Sequence, residues 1–292
     1  MAESRFTVLE ERGVLAVAGP DRADFLQGLV SNDATRVSVE RAVYAALLTA
    51  QGKYLHDFFM VEHSDAIWLD TEAARLGDLK RRLSIYRLRA KVTLDERPDL
   101  AVAAVFDGAA FGLPADPGAA RAVDGGVAFT DPRLAALGVR AVLPRDHLQR
   151  VLRDARAVET DFAEYDRLRL SLGVPDGSRD LVLDKSILLE SGFDELNGVD
   201  WQKGCYIGQE LTARTKYRGL IKKRLFPIKI DGPTPEPGTI VTLDGREAGE
   251  IRSGRDGIGL ALLRLEAVGK GEQLIAGDTA IEPITPDWMR LL

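Results

Sequence analysis

Cysteine is nearly missing from this chain of 292 residues, which has only Cys205. A single thiol cannot close an internal disulfide or build a metal cage alone, so both are excluded within one copy. Histidine is scarce as well. The three, His56, His63 and His147, are scattered with no H-x-x-x-H pair. A histidine metal site or a Ser-His-Asp triad is therefore unsupported, and no metal is expected. No apolar run approaches the ~20 residues that would span a bilayer, so no membrane partner is expected. Positive charge is not in excess either: 39 Lys and Arg against 45 Asp and Glu leave a net charge of −6. Direct nucleic-acid binding needs the opposite balance. The start, MAESRFTVLEERG, carries acidic residues and lacks an apolar h-region. Neither a secretory signal nor an arginine-rich transit peptide is expected there, which makes the bacterial cytoplasm the default location.

What the chain does have is a succession of local patterns. LAVAG (Leu15 to Gly19) reads as a buried strand. Asp21 is placed to cap a following helix with Phe25, Leu26, Leu29 and Val30 on one face. AVYAALLTAQGKYLHDFFMVEHSDAIWLDT holds three apolar runs parted by QGK and HSD, as an antiparallel meander would. Thr71 is expected to cap a helix through Leu76, Leu79 and Leu83, and KVTLDE to return as a strand. From Ala101 to Pro144 the signal weakens. GAAFGLPADPGAARAVDGG is loop-like there, and VAFTDPRLAALGVRAVLP resembles two strands around a turn. Asp161 and Glu164 form a capping box for a helix with a Phe162, Tyr165, Leu168, Leu172 stripe, ended by Gly173 and Pro175. After KKRLF, short β-like runs alternate with GPTPEPG, DGREAG, SGRDG and GKGEQLIAG, the spacing of a small barrel or sandwich. The class is α+β. We expect three parts: residues 1–98, 99–222 and 223–292.

Several residues could carry chemistry. Cys205 stands in KGCYIGQELTAR, just ahead of a helix expected to begin near Gly208 or Gln209. The positive end of that helix and the amine of Lys203 would draw negative charge there. Against this stands the usual fate of a free cysteine, a small partly buried hydrophobe. Glu190 closes the apolar run ILLE and Glu210 the cysteine stretch. A carboxylate at a buried strand end can accept two donors from a flat heterocycle such as a pterin or purine, although a surface ion pair is the commoner role. Asp57, amid the aromatic residues of YLHDFFM, is an acid–base candidate or simply an exposed strand residue. Arg214, Lys216, Arg218, Lys222, Lys223 and Arg224 make a basic run. It suits an anion, an acidic partner, or a solvated strand between domains.

KGCYIGQE (Lys203 to Glu210) resembles the K-G-C-Y-x-G-Q-E signature of the YgfZ family, folate-binding, T-protein-like factors that assist iron–sulfur proteins. The likeness runs on through LTARTKYRG into KKRL. YDRLRLSLGVP, FLQGLVSND, LLTAQGKYLHDF, LRAKV and GEIRSG are similar to further blocks of that family or of the aminomethyltransferases. The resemblance implies an aminomethyltransferase (T-protein)-like three-subdomain fold with a C-terminal β-barrel. It also implies bound tetrahydrofolate or another reduced folate, with Glu190, Lys203, Tyr206, Gln209, Glu210 and Arg214 as contacts. Cys205 is then the functional thiol, and Asp57 one member of the T-protein aspartate pair, with His56 in place of the other. The implied function is assembly or repair of iron–sulfur proteins, tRNA-modifying radical enzymes among the clients. The implied partners are iron–sulfur client or assembly proteins. A folate-dependent aminomethyltransferase of the glycine cleavage type is the alternative.

Overall fold

LAVAAVF (Leu100–Phe106) has no polar position, and each of its residues is buried. Such a run fits a central strand covered on both faces. It pairs antiparallel with Ser4–Val8 on one side and Val139–Pro144 on the other. The six-stranded sheet is ordered Ala157–Glu159, Ser4–Val8, Leu100–Phe106, Val139–Pro144, Gly126–Thr130, Ala120–Val123. The first of these pairings crosses the cut expected near residue 98. The computed structural model describes residues 4–106, 110–269 and 273–290. Residues 108–109 of the expected loop and 270–272 of the last expected turn lie outside them.

A second sheet contains the expected meander. Val43–Leu48, Tyr54–His63 and Ala66–Glu72 are successive neighbours, and Arg12–Ala18 and Thr93–Glu96 complete five strands. From Lys223 a closed six-stranded barrel follows, in the order Lys223–Asp231, Ile258–Arg264, Arg246–Arg255, Ile240–Leu243, Leu274–Ala276, Thr279–Pro283. Alternation fills its interior: Phe226, Ile228 and Ile230 join Val241, Ile251, Leu263 and Ile281 in one buried cluster. The class is thus mixed helix and sheet with a C-terminal barrel.

Two compact units make up the chain, and neither is continuous. One comprises Met1–Leu48, His56–Phe162 and Asn197–Ile207; the other Thr49–Leu55, Ala163–Leu196 and Gly208–Leu292. The first unit is tied through Asp70, which is fully buried on the strand Ala66–Glu72. Arg12 donates to one carboxylate oxygen at 2.7 Å, and Arg140, from the other sheet, donates twice to the second at 2.9 and 2.7 Å. The second unit has a comparable knot. Buried Arg169 on the helix Phe162–Ser171 bonds Asp166 at 2.7 Å and Asp180 at 2.6 Å, while Arg255 of the barrel reaches Asp166 at 2.8 Å. A buried ion pair holds only when its lone pairs and protons are satisfied, and here two arginines share Asp70 and three share Asp166.

Two caps differ from expectation. Asp21 precedes the helix Arg22–Gln27 without a side-chain cap bond, and its carboxylate accepts the amide of Lys91 at 2.7 Å. Leu29 and Val30 lie beyond that short helix, buried in the core. Thr71 sits inside a strand, where its hydroxyl donates to the carbonyl of Asp57. The helix expected after it begins at Leu76, behind a 3-10 turn. In both places a partner distant in sequence wins over the local cap.

Burial alone would push the Asp70 and Asp166 carboxyls up. Arg12 and Arg140 overcome this at Asp70, and Arg169, Arg179 and Arg255 bring Asp166 down to about 2. Both folded values lie below the unfolded one of about 3.9. Their stabilisation is therefore complete above that value and lost as pH falls through the folded values. Urea midpoints should fall as pH drops from about 5 toward about 2. At neutral pH, Asp70→Asn is expected to cost on the order of 3–5 kcal/mol, because two arginines stay buried without their counter-charge.

Candidate functional site

Within KGCY the residues alternate in fate: Lys203 and Tyr206 are buried, Gly204 and Cys205 exposed. The approach to this stretch is set by Asp200, whose carboxylate accepts the amides of Gln202 at 2.7 Å and Lys203 at 3.0 Å. The Lys203 chain then runs inward. Its Nζ donates to the carbonyls of Gln27, Val30 and Asn32 at 2.8, 2.6 and 2.8 Å. These carbonyls end and follow the helix Arg22–Gln27, where a cation meets the negative pole of the backbone dipoles. Burial lowers the amine to about 8, with Asp33 and Asp200 pulling the other way. The same Nζ lies 5.1 Å from the ring centre of Tyr206.

Further bonds lock the same two segments together. Ser31 donates to the carbonyl of Gly198 at 2.6 Å, and Asn32 donates to those of Tyr44 and Asn197, both at 2.7 Å. The block FLQGLVSND and the block leading into KGCY are therefore one physical construction. Cys205 is among its exposed residues. Next to these segments lies a cavity of about 330 Å³, lined among others by Asn32, Tyr44, Asn197 and Asp200.

Asp57 is buried and accepts the Tyr44 hydroxyl at 2.9 Å. Burial and this carboxylate hold the Tyr44 phenol well above its ordinary pKa. His56 precedes it on the same strand, so the two side chains leave opposite faces. His56 Nε2 instead meets Asp78 at 2.9 Å, and burial, then Arg75, lowers the imidazole to about 4. The imidazole is neutral at physiological pH and donates from Nε2. The two neighbours that the resemblance sets at the position of the T-protein aspartate pair therefore do not converge on one point.

The other expected residues belong to the second unit, whose boundary with the first falls between Ile207 and Gly208. Gly208 precedes the helix Gln209–Tyr217. Gln209 is half-buried at its start, and Glu210 and Arg214 are exposed. This helix packs against the turn Leu188–Ser191, which carries Glu190. The loop Gln51–Lys53 closes on the helix start. Gly52 has φ +77, and a Cβ there would stand 2.6 Å from Leu211 Cβ and 2.7 Å from the Gly208 carbonyl. Any side chain at position 52 would force the two segments apart. Burial raises the half-buried Glu190 carboxyl, opposed by Lys53, Lys223 and Arg252. The carboxylate accepts no hydrogen bond among the described residues. Lys53 and Arg252 were not singled out from the sequence. Both stood inside stretches that resemble family blocks, QGK and GEIRSG, the first of which read as a turn. Of the basic run, Lys216 pairs with Asp194 at 2.6 Å and Arg224 with Glu195 at 2.8 Å.

Residues 222–291 match the family model of the CAF17 C-terminal beta-barrel domain. Among solved structures, the glycine cleavage system aminomethyltransferase T from Bartonella henselae superimposes with a TM-score of 0.79 at 16% identity, over 99% of this chain and 87% of that one. The fold is therefore T-protein-like. The iron–sulfur cluster assembly factor IBA57, mitochondrial, of Mus musculus is 37% identical over 305 residues, 96% of this chain and 84% of that protein. The Homo sapiens protein is 38% identical over 309 residues, with the same shares covered. These relatives are mitochondrial, which overturns the bacterial cytoplasm as the expected location. That default rested on the composition of the first residues and on the single cysteine. With such identity across most of both sequences, the chain belongs to the family of IBA57 iron–sulfur cluster assembly factors.

Proposed function

We propose that the chain is a tetrahydrofolate-binding factor of YgfZ type that serves the assembly or repair of iron–sulfur proteins, with tRNA-modifying radical enzymes among its clients. The relatives' names support the iron–sulfur part. The observation that carries the folate part is Glu190: a half-buried carboxylate with raised pKa, free of hydrogen bonds among the described residues, with three cations acting on it. Those groups fit a reduced folate. A carboxylate can accept two donors from a pterin edge, and Lys53, Lys223 and Arg252 suit the acidic tail. Bound folate would supply one-carbon chemistry. Gln209, at the helix start packed on the Glu190 turn, is the nearest further contact we assign, and Glu210 and Arg214 follow it on the same helix.

Lys203 has a different part in this reading. Its ammonium already has three acceptors, so it holds the loop and does not touch folate. Cys205 is the working thiol. One cysteine per chain is too few to hold a cluster, so any cluster it ligates must be shared with the thiols of another protein. Asp57 is the acid–base candidate, held by Tyr44. Aminomethyl transfer by an aspartate pair is disfavoured, because His56 faces Asp78 and not Asp57.

Calorimetric titration with tetrahydrofolate should give micromolar-class binding, roughly −7 to −9 kcal/mol. Glu190→Gln should weaken it about tenfold, since one acceptor becomes a donor. Affinity should also fall as pH drops through the raised Glu190 value, where the carboxylate takes up a proton. A flat trace with folded protein would end the folate claim. Cys205→Ala should fail to restore iron–sulfur enzyme activities in a strain lacking the protein, and full rescue would remove the thiol from the mechanism. Lys203→Met should act through stability, costing about 2–3 kcal/mol as three carbonyls lose their donor.

A further inference from the structure

The segment from Ser84 to Arg89 is exposed at six consecutive positions. It includes three large apolar side chains: Ile85 is 61% exposed, Tyr86 43% and Leu88 89%. The helix Leu76–Tyr86 keeps Leu79 and Leu83 in the core, so its last turn alone carries apolar surface outward. Leu88 has φ +38, a left-handed backbone that a leucine adopts only at a cost. The turn that imposes it is closed by the Ala90 amide on the Arg87 carbonyl at 2.7 Å.

This tip is held firmly from below. The Lys91 amide is bonded by Asp21 at 2.7 Å. The Lys91 carbonyl lies where a Cβ on Gly19 would stand at 2.2 Å, so only glycine, at φ +111, lets the segments meet. A strained leucine, presented by an anchored turn and left in water, stabilises nothing within the fold. Backbone strain that persists under such constraint points to a task outside the fold.

The collar around the tip identifies the kind of partner. Arg81 and Arg82 are spent on Asp78. The exposed side chains of Arg87, Arg89 and Lys91 make no ion pair or hydrogen bond among the described residues. Three unneutralised cations about an apolar knob call for a socket with a carboxylate rim. Arginine and tyrosine beside a buried anchor are the residue types that carry protein interfaces. We infer that the turn Arg87–Ala90, with Ile85 and Tyr86, is a docking knob for an acidic protein whose apolar socket receives Leu88. The inference does not depend on folate binding.

A photo-reactive residue at position 86 would capture the partner in cells. The captured protein, once purified, is titrated against the full chain. Leu88→Gly should weaken binding about tenfold while raising Tm by about 1–3 °C, because the left-handed strain is removed. A residue with a purely structural role would lower Tm or leave it unchanged. Arg87→Glu with Arg89→Glu should weaken binding most at low salt. Three results would overturn the inference. One is binding unchanged in both variants. Another is capture no greater than from a probe at exposed Val39, which lies elsewhere. The third is sedimentation of the wild type, but not the double-glutamate variant, with vesicles containing phosphatidylserine, which would reassign the surface to lipid.

Discussion

An ammonium group enclosed by backbone carbonyls is a demanding arrangement. The amine must leave water, and each carbonyl must be turned toward it before the gain is realised. Lys203 meets that demand with Gln27, Val30 and Asn32 as acceptors, on a segment more than 170 residues earlier in the chain. Much else depends on it. The Ser31 and Asn32 bonds to the chain at 197–198 join the same two segments, and the turn that displays Cys205 runs between buried Lys203 and Tyr206. The Cys205 thiol and Gly204 are exposed between two buried residues.

Buried charge plays the same organising role on a larger scale. Asp70 joins two sheets, and Asp166 with Arg169 joins a helix to the barrel. Hydrophobic burial supplies most of the driving force for folding, but it does not dictate which sheet face meets which. A carboxylate that needs particular arginines does. Phe59 sits at this junction, with the guanidinium of Arg140 4.2 Å and that of Arg133 4.8 Å from its ring centre.

The meander, the helix after Asp161 and the barrel were legible in the sequence because their signals are local. Alternation, a capping box and turn residues at short intervals are all read within a dozen positions. LAVAAVF was passed over for the opposite reason. A strand covered on both faces has no alternation to detect. Asp21 and Thr71 look like caps locally, and only Lys91 and Asp57 in three dimensions say otherwise. The motif residues could be named, but not their division of labour, since Lys203 and Cys205 differ in fate through contacts no window of sequence contains. The electrostatic influence of Lys53 and Arg252 on Glu190 was out of reach for the same reason.

Adjacency in a strand is a poor guide to adjacency in a site. Tyr54–His63 sends His56 toward the helix that carries Asp78 and Asp57 toward Tyr44. An aspartate introduced at position 56 would thus not recreate a carboxylate pair. It would meet the negative charge of Asp78 in a buried setting, while Asp57 kept its phenol partner undisturbed. The pleat of one strand keeps positions 56 and 57 on opposite faces, and a shift of register would exchange those faces without bringing the two side chains together.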